Sequence, residues 1–491
     1  MSFNLILPIL LPIIGALFSL FIKKKFSDWN FRKNYVLLFL VATFFVTVFA
    51  LYTGGEFTLF YLTRNLPIKL KIDGMTRMFN FLVVFMWLMA GDFSFEYMKH
   101  EDNNESFYVF YLLTEAALLG LGMAANFMTL YMFYEFMTLL SLPLALHSRT
   151  KEAISGGLKY LFYSVFGATL ALIGFFFMYK YGSIEFLAGG NLDMSKVAGN
   201  EKLLYAMFFL TILGFSAKAG MFPLHAWLPA AHPVAPAPAS AVLSGVITKA
   251  GVIAIIRVIY YQVGVNFLRE TWVQYAFMSL ALTTVFLGSM MAYQEGLFKK
   301  RLAYSSVSQV SYVLFGLSTM TPIGFVGALL QVVFHSITKN LLFMCSGAVI
   351  YKTHKTEIKD LKGLGKSMPI TFIFFTVGSL ALVGIPPFTG FVSKWYLAQG
   401  SLNSVVNILN NVGPIILLIS ALLTAGYLFT ISISAFLPGN DFDYGTVKKL
   451  DPNHYMIIPL LLLSVLCLVL GLFSGSLISF FYSIANTIMP M

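Results

Sequence analysis

Lys218 and Lys249 stand inside long apolar stretches, and Glu135 stands in an earlier one. A charged side chain at the bilayer centre costs at least roughly 2.5–3.5 kcal/mol on insertion scales. A chain that keeps several such groups uses them, and the chemistry they suit is the movement of ions or protons. The full set is Glu115, Glu135, Lys159, Lys218, Lys249, Arg257, His335, Lys339 and Lys394. Burial disfavours the ionised form of a carboxyl or an ammonium, and a nearby opposite charge restores it. A lysine whose pairing opens and closes can therefore load and release a proton near neutral pH, whereas arginine holds its proton too tightly. Lys218 is the natural partner of Glu135, and taken alone the two could equally be a static pair fixing two helices. Lys249 has no acid within its own helix and sits among the small residues Ser244, Gly245, Ala250 and Gly251. His335 and Lys339 are four residues apart and share one helical face. Histidine titrates near physiological pH and can pass protons on. With Lys394 at the end, the series reads as a relay.

Other polar residues carry less. His225 and His232 flank Trp227-Leu228-Pro229-Ala230-Ala231. They could form a side branch of the relay or ligate a metal, but no acid or cysteine lies close by, and anchoring at the membrane interface is expected. Glu115 could serve as an entry point or as a coupling point to a neighbour. Arg257 and Lys159 are expected to snorkel or to pair, and Asp92 and Glu96 to lie at the interface. Cys345 and Cys467 have no CxxC partner, which excludes an iron–sulfur or zinc site within the chain. No Ser/His/Asp triad, phosphate loop or haem-ligand pattern stands out, so no catalytic residue, metal or cofactor is expected here.

The elements that must position these groups are membrane helices. The chain has 491 residues, 58% hydrophobic and 11% charged, with mean hydropathy +0.81. The bilayer is the solvent for most of it. About 14 runs reach the ~20-residue spanning length: 3–22, 35–53, 77–97, 106–124, 127–146, 158–181, 203–222, 239–262, 272–293, 302–319, 324–351, 370–398, 412–437 and 455–475. The apolar tail 477–488 is expected to extend the last one. The first run lacks a basic leader and a cleavage site and reads as a helix, not a signal peptide. The net charge of +11 is scattered through short loops with no basic arm, which speaks for positive-inside topology and against nucleic acid. Lys23-Lys24-Lys25, Arg149, Lys299-Lys300-Arg301 and the stretch 352–366 gather on one side, so that side is expected to be cytoplasmic and both termini outside.

Two of the helices should be broken. The seventh run carries Lys218-Ala219-Gly220-Met221-Phe222-Pro223, and the twelfth Gly384-Ile385-Pro386-Pro387-Phe388-Thr389-Gly390 before Lys394. Proline removes an amide donor and clashes with the preceding turn. Irregular backbone at membrane depth is tolerated where protein or a water-filled cavity satisfies it. The breaks lie five helices apart, which suggests two five-helix repeats, 106–262 and 272–437, between an N-terminal segment, 1–105, and a C-terminal segment, 438–491. An odd number of helices per repeat makes the second copy inverted, a pattern of transporters.

The stretch Pro223-Leu224-His225-Ala226-Trp227-Leu228-Pro229-Ala230-Ala231-His232, running into Ala235-Pro236-Ala237-Pro238-Ala239-Ser240-Ala241, resembles the central signature of the antiporter-like subunits. These occur in respiratory complex I, in Mrp-type cation/proton antiporters and in membrane-bound hydrogenases. Lys300-Arg301-Leu302-Ala303-Tyr304-Ser305-Ser306, His335-Ser336-Ile337-Thr338-Lys339-Asn340 and Gly384-Ile385-Pro386-Pro387-Phe388-Thr389-Gly390 are similar to three further motifs of the group. The likeness covers the third to the thirteenth run. It implies an all-α polytopic protein of 14 helices with two inverted repeats and no bound redox cofactor. It also implies Glu135 paired with Lys218, a central Lys249 and a terminal Lys394. Lysine at 394 departs from one complex I type, which has Glu there, and with the chain length it points to a subunit like Mrp D or its hydrogenase relative. The implied function is proton translocation coupled to Na+ antiport or to a redox-driven partner arm. The implied partners are other antiporter-like and small membrane subunits, or an iron–sulfur arm. A non-conducting structural subunit and a quinone-reactive redox subunit are the alternatives.

Overall fold

Helices occupy the apolar runs. The computed structural model describes residues 3–439, 442–444 and 448–489. In chain order the longer elements are α1 (Leu7–Phe21), α2 (Trp29–Thr53), β1 (Gly55–Thr63), β2 (Leu66–Ile72), α3 (Gly74–Tyr97) and α4 (Asn104–Gly122). There follow α5 (Phe127–Ala145), α6 (Lys151–Tyr181), α7 (Glu201–Ala219), α8 (Ala237–Val263), α9 (Trp272–Gln294) and α10 (Phe298–Ser318). The series ends with α11 (Pro322–Thr353), α12 (Pro369–Val383), α13 (Thr389–Leu402), α14 (Leu409–Phe436), α15 (His454–Leu472) and α16 (Gly475–Ile488). Among the described residues ten helices are long and apolar enough to cross a membrane, and the shorter α1 and α12 are apolar too. The protein is a multi-pass membrane protein.

Burial varies widely among these helices. The apolar spans of α8 and α11 are 100% and 94% buried, while those of α2 and α15 are 33% buried. A helix that is hydrophobic all round and yet enclosed belongs to the centre of a bundle. Leu38, Phe162 and Leu422 on outer helices are more than 60% exposed, as lipid-facing side chains are. Small residues set the closest approach of α6 to α7: a Cβ on Gly214 would meet the Gly167 carbonyl oxygen at 2.4 Å, the small-residue packing typical of membrane helices. Side-chain caps start several helices, with Asn126 accepting from the Thr129 amide at α5 and Thr321 from the Gly324 amide at α11.

Two features depart from the sequence reading. The loop 54–76 contains an antiparallel hairpin in which Gly55 pairs with Ile72 and Thr63 with Leu66. Its second strand also bonds the α4–α5 turn, through Lys71 N to Met123 O at 2.7 Å and Ala125 N to Lys69 O at 3.0 Å. The apolar tail does not extend the last long helix. It forms the separate α16, because α15 ends at Leu472 and the chain turns through Phe473 and Ser474.

Candidate functional site

The seventh and twelfth runs both break. Gly220 ends α7 with φ +80° and Gly384 ends α12 with φ +90°. This left-handed backbone is open to glycine at little cost. A proline follows three residues later in each case, Pro223 and Pro387. After the first break the chain makes a short buried helix, Trp227–Ala231, before α8 begins.

Lys218 lies two residues before Gly220, at the first break, and is fully buried. Its ammonium donates to Thr138 Oγ1 at 2.9 Å, Tyr160 Oη at 3.0 Å and Ser164 Oγ at 2.8 Å. It also lies 4.3 Å from the centre of the Tyr160 ring. These partners come from α5 and α6, and Ser141 extends the group through a 2.6 Å hydrogen bond to Tyr160. The expected ion pair is not formed: among the described residues no carboxylate oxygen lies within 4.0 Å of Lys218. Glu135 sits one turn before Thr138 on α5 and is half-buried, next to the exposed Phe136 and Leu139. Three hydroxyls saturate the three ammonium donors, which leaves the carboxylate nearby but unbonded to it.

Lys249 lies at the centre of the bundle, on α8. Its ammonium is 2.6 Å from His335 Nδ1 on α11 and donates to the Ser244 carbonyl at 2.6 Å. That carbonyl sits in a π-helical segment, Leu243–Ile247. The wider turn displaces the i→i−4 ladder, and such segments recur at functional sites. Ser336 Oγ on α11 donates to Gly245 O in the same segment at 2.5 Å. His335 Nε2 is buried without a protein partner. Lys339, one turn along α11, turns the other way and donates to Leu302 O at 2.8 Å and to Ser305 Oγ on α10. Lys249, Lys339 and His335 are all at most 1% exposed.

Lys394 on α13 reaches back over the second break. Its ammonium donates to the carbonyls of Leu382 at 2.8 Å and Val383 at 2.5 Å. These are last-turn carbonyls of α12 with no helical partner, where a cation is favoured. A polar bridge joins this end to α11: Gln331 Nε2 donates to Gln309 Oε1 at 2.9 Å, and Ser393 Oγ donates to Gln331 Oε1 at 2.6 Å. Gln331 is one turn before His335, and Ser393 adjoins Lys394. No direct hydrogen bond among the described residues joins the Lys218 group to the Lys249 group.

The structure places the secondary candidates as follows. His232 is fully buried and both ring nitrogens lack partners, which corrects the expectation that it anchors the interface. The short helix after the first break folds inward and stacks the ring on Phe343, 4.9 Å between centres. Lys339 lies 5.7 Å over that same Phe343 ring. His225 is half-buried beside Phe222. The described residues hold no group of three or more potential metal ligands. Glu115 is 1% exposed with Oε2 unpartnered and bonds to no relay residue. Arg257 pairs with Asp73 through bonds of 2.5 and 3.0 Å, and Lys159 is exposed.

Sequence reasoning missed Lys299. It lies just outside the run 302–319, is 7% exposed, and donates to Pro233 O at 3.4 Å and to Ala235 O. It lines a cavity of about 310 Å³ together with Tyr97, Glu101 and Ser148. Burial pushes its ammonium down to about 7, with Glu101 opposing the shift. Burial in turn raises the Glu101 carboxyl, with Lys299 opposing.

Residues 124–424 match the family described as NADH:quinone oxidoreductase/Mrp antiporter, TM. The chain belongs to this family. The matched segment contains all six relay candidates and leaves out Glu115. The N subunit of the NADH-quinone oxidoreductase from Desulforudis audaxviator is 31% identical over 425 residues, covering 84% of this chain and 83% of that one. The D-type subunit of the Na(+)/H(+) antiporter from Bacillus subtilis is 27% identical, covering 96% and 93%. The fold of this NADH:quinone oxidoreductase/Mrp antiporter family member is that of a chain in the membrane-bound sulfane sulfur reductase, an archaeal respiratory membrane complex. The TM-score is 0.85 at 24% identity, over 99% of this chain and 97% of that one.

Proposed function

We propose that this chain is a proton-translocating subunit of a multi-subunit membrane complex, conducting through Glu135, Lys218, Lys249, His335, Lys339 and Lys394. The observation that carries the reading is the 2.6 Å contact between Lys249 and His335 in the buried centre. An ammonium and an imidazole nitrogen in hydrogen-bond contact can exchange one proton, and no fixed carboxylate holds the charge in place. At Lys218 the three hydroxyls stabilise the ammonium while Glu135 waits beside it. At Lys394 the freed carbonyls of α12 do the same, and Gln309, Gln331 and Ser393 line the way to it. The cavity at Lys299 is the entry from one side: Lys299 takes up the proton, and His232 leads inward to the Lys339 and Lys249 region.

Similarity to both an antiporter subunit and a quinone oxidoreductase subunit leaves two couplings, to Na+ exchange or to a redox arm on partner chains. The inverted repeat 106–262 and 272–437 belongs to the same proposal, supported by the matched Gly-x-x-Pro breaks. Lys249→Ala in the isolated native complex tests the reading. Proton uptake into vesicles should be lost while the subunits still co-purify; uptake at the wild-type rate would refute it.

A further inference from the structure

Arg77, in the first turns of α3, is exposed, and its guanidinium has no ion pair or hydrogen bond among the described residues. The nearest acid along the chain, Asp73, is taken up by Arg257. Two grooves leave this guanidinium in different directions. One, of about 450 Å³, runs between α2 and α3 past Leu51 and Tyr52. The other, of about 440 Å³, descends α3 to Met86 and is closed by α11, α15 and α16. The two grooves share two lining residues, Arg77 and Phe81. Apart from Arg77, the second is lined by apolar side chains alone.

We propose that these grooves form a site for one anionic glycerophospholipid, with its phosphate on Arg77 and its two acyl chains parted by Phe81. The charge argues for a phosphate: guanidinium presents a planar fork of donors that fits it. The level argues for a headgroup, because Arg77 stands where α2 ends and α3 begins. The depth argues for an acyl chain. From Arg77 to Met86 the helix descends about 13 Å at 1.5 Å per residue, close to half of the ~30 Å hydrocarbon core. The forked outline around one cation suits a two-chain lipid better than a single partner helix, which would fill one groove and leave the other empty.

The test is native mass spectrometry of the intact complex after reconstitution in vesicles of equal phosphatidylglycerol and phosphatidylcholine. Wild type should retain phosphatidylglycerol on this chain in preference to phosphatidylcholine. Arg77→Gln should weaken that preference roughly fivefold, the scale of one basic side chain at a membrane surface, and Arg149→Gln, another exposed arginine, should not. Leu466→Trp, which fills the deeper groove and keeps Arg77, should also lose the bound lipid. Equal retention of both lipids by wild type, an unchanged preference in Arg77→Gln, or an equal loss in Arg149→Gln would overturn the proposal. So would a photo-cross-linker at position 85 that captures a partner subunit in place of lipid.

Discussion

Lysine and arginine are held by different kinds of partner in this bundle. Arg257 is locked to Asp73 by two hydrogen bonds, a pairing that is costly to break once buried. Lys218, Lys249, Lys339 and Lys394 are held by hydroxyls, carbonyls and an imidazole, none of which carries a full negative charge. Such partners let an ammonium be bound or neutral without leaving a charge behind, as a proton relay requires. Lys299 extends the logic to the entry cavity. Burial pushes its ammonium down to about 7, which would have it protonated below that pH and neutral above. Proton uptake from that side should therefore fall as pH rises through about 7. Lys299→Met should remove this inflection from the pH–rate profile measured on vesicles, and an inflection that persists would assign it elsewhere. Of the charged groups in the proposed path, Glu135, Lys218, Lys249, His335, Lys339 and Lys394 were legible because hydropathy isolates them, whereas Lys299, beside Lys300 and Arg301 at the edge of a run, was not. Thr138, Tyr160, Ser164 and Gln331 were not, since hydroxyls and amides are common in membrane helices and only packing brings them to a lysine. His232 was misread because its Trp and Pro neighbours suggest an interface, whereas the short helix that it caps folds into the core.

Element geometry sets the central contact. The π-helical segment Leu243–Ile247 rests directly on α11, where a Cβ at Gly245 would lie 2.0 Å from Asn340 Nδ2. Gly245→Ala should push α8 from α11, cost about 1–3 kcal/mol by overpacking, and impair transport although Lys249 and His335 remain. Asn340→Ala should restore transport to the double variant, because it removes the clashing atoms and breaks only a bond within α11. Thermal unfolding and vesicle uptake on the single and double variants check both halves. Failure of the second change to rescue would mean that the close approach is not what sets the contact. Apolar run length revealed these helices, and Gly-Pro spacing revealed the breaks. The π-helical segment left no mark in the sequence, because its wider turn is imposed by the Ser336 and Lys249 bonds across and within the bundle. The hairpin escaped notice because its pairing depends on the α4–α5 turn, far along the chain.

On the scale of the molecule, the proposed path is centred on the enclosed helices α8 and α11, and the outer helices present apolar surface. Glu135 departs from that rule, half-buried on α5 among exposed apolar side chains. A mild-detergent pull-down of the tagged native chain should return other membrane subunits. Iron and dehydrogenase- or hydrogenase-like partners would identify redox coupling, small iron-free membrane partners would identify cation antiport, and recovery of the chain alone would contradict the subunit reading. The central claim is that the middle of the molecule passes protons through lysine and does more than hold a charge there. The most direct measurement is proton translocation by the assembled complex carrying Lys249→Arg, reconstituted in vesicles with a pH-sensitive dye. Arginine keeps the charge and cannot release the proton. Translocation should be lost while assembly is kept, and translocation at the wild-type rate would contradict proton transfer through Lys249.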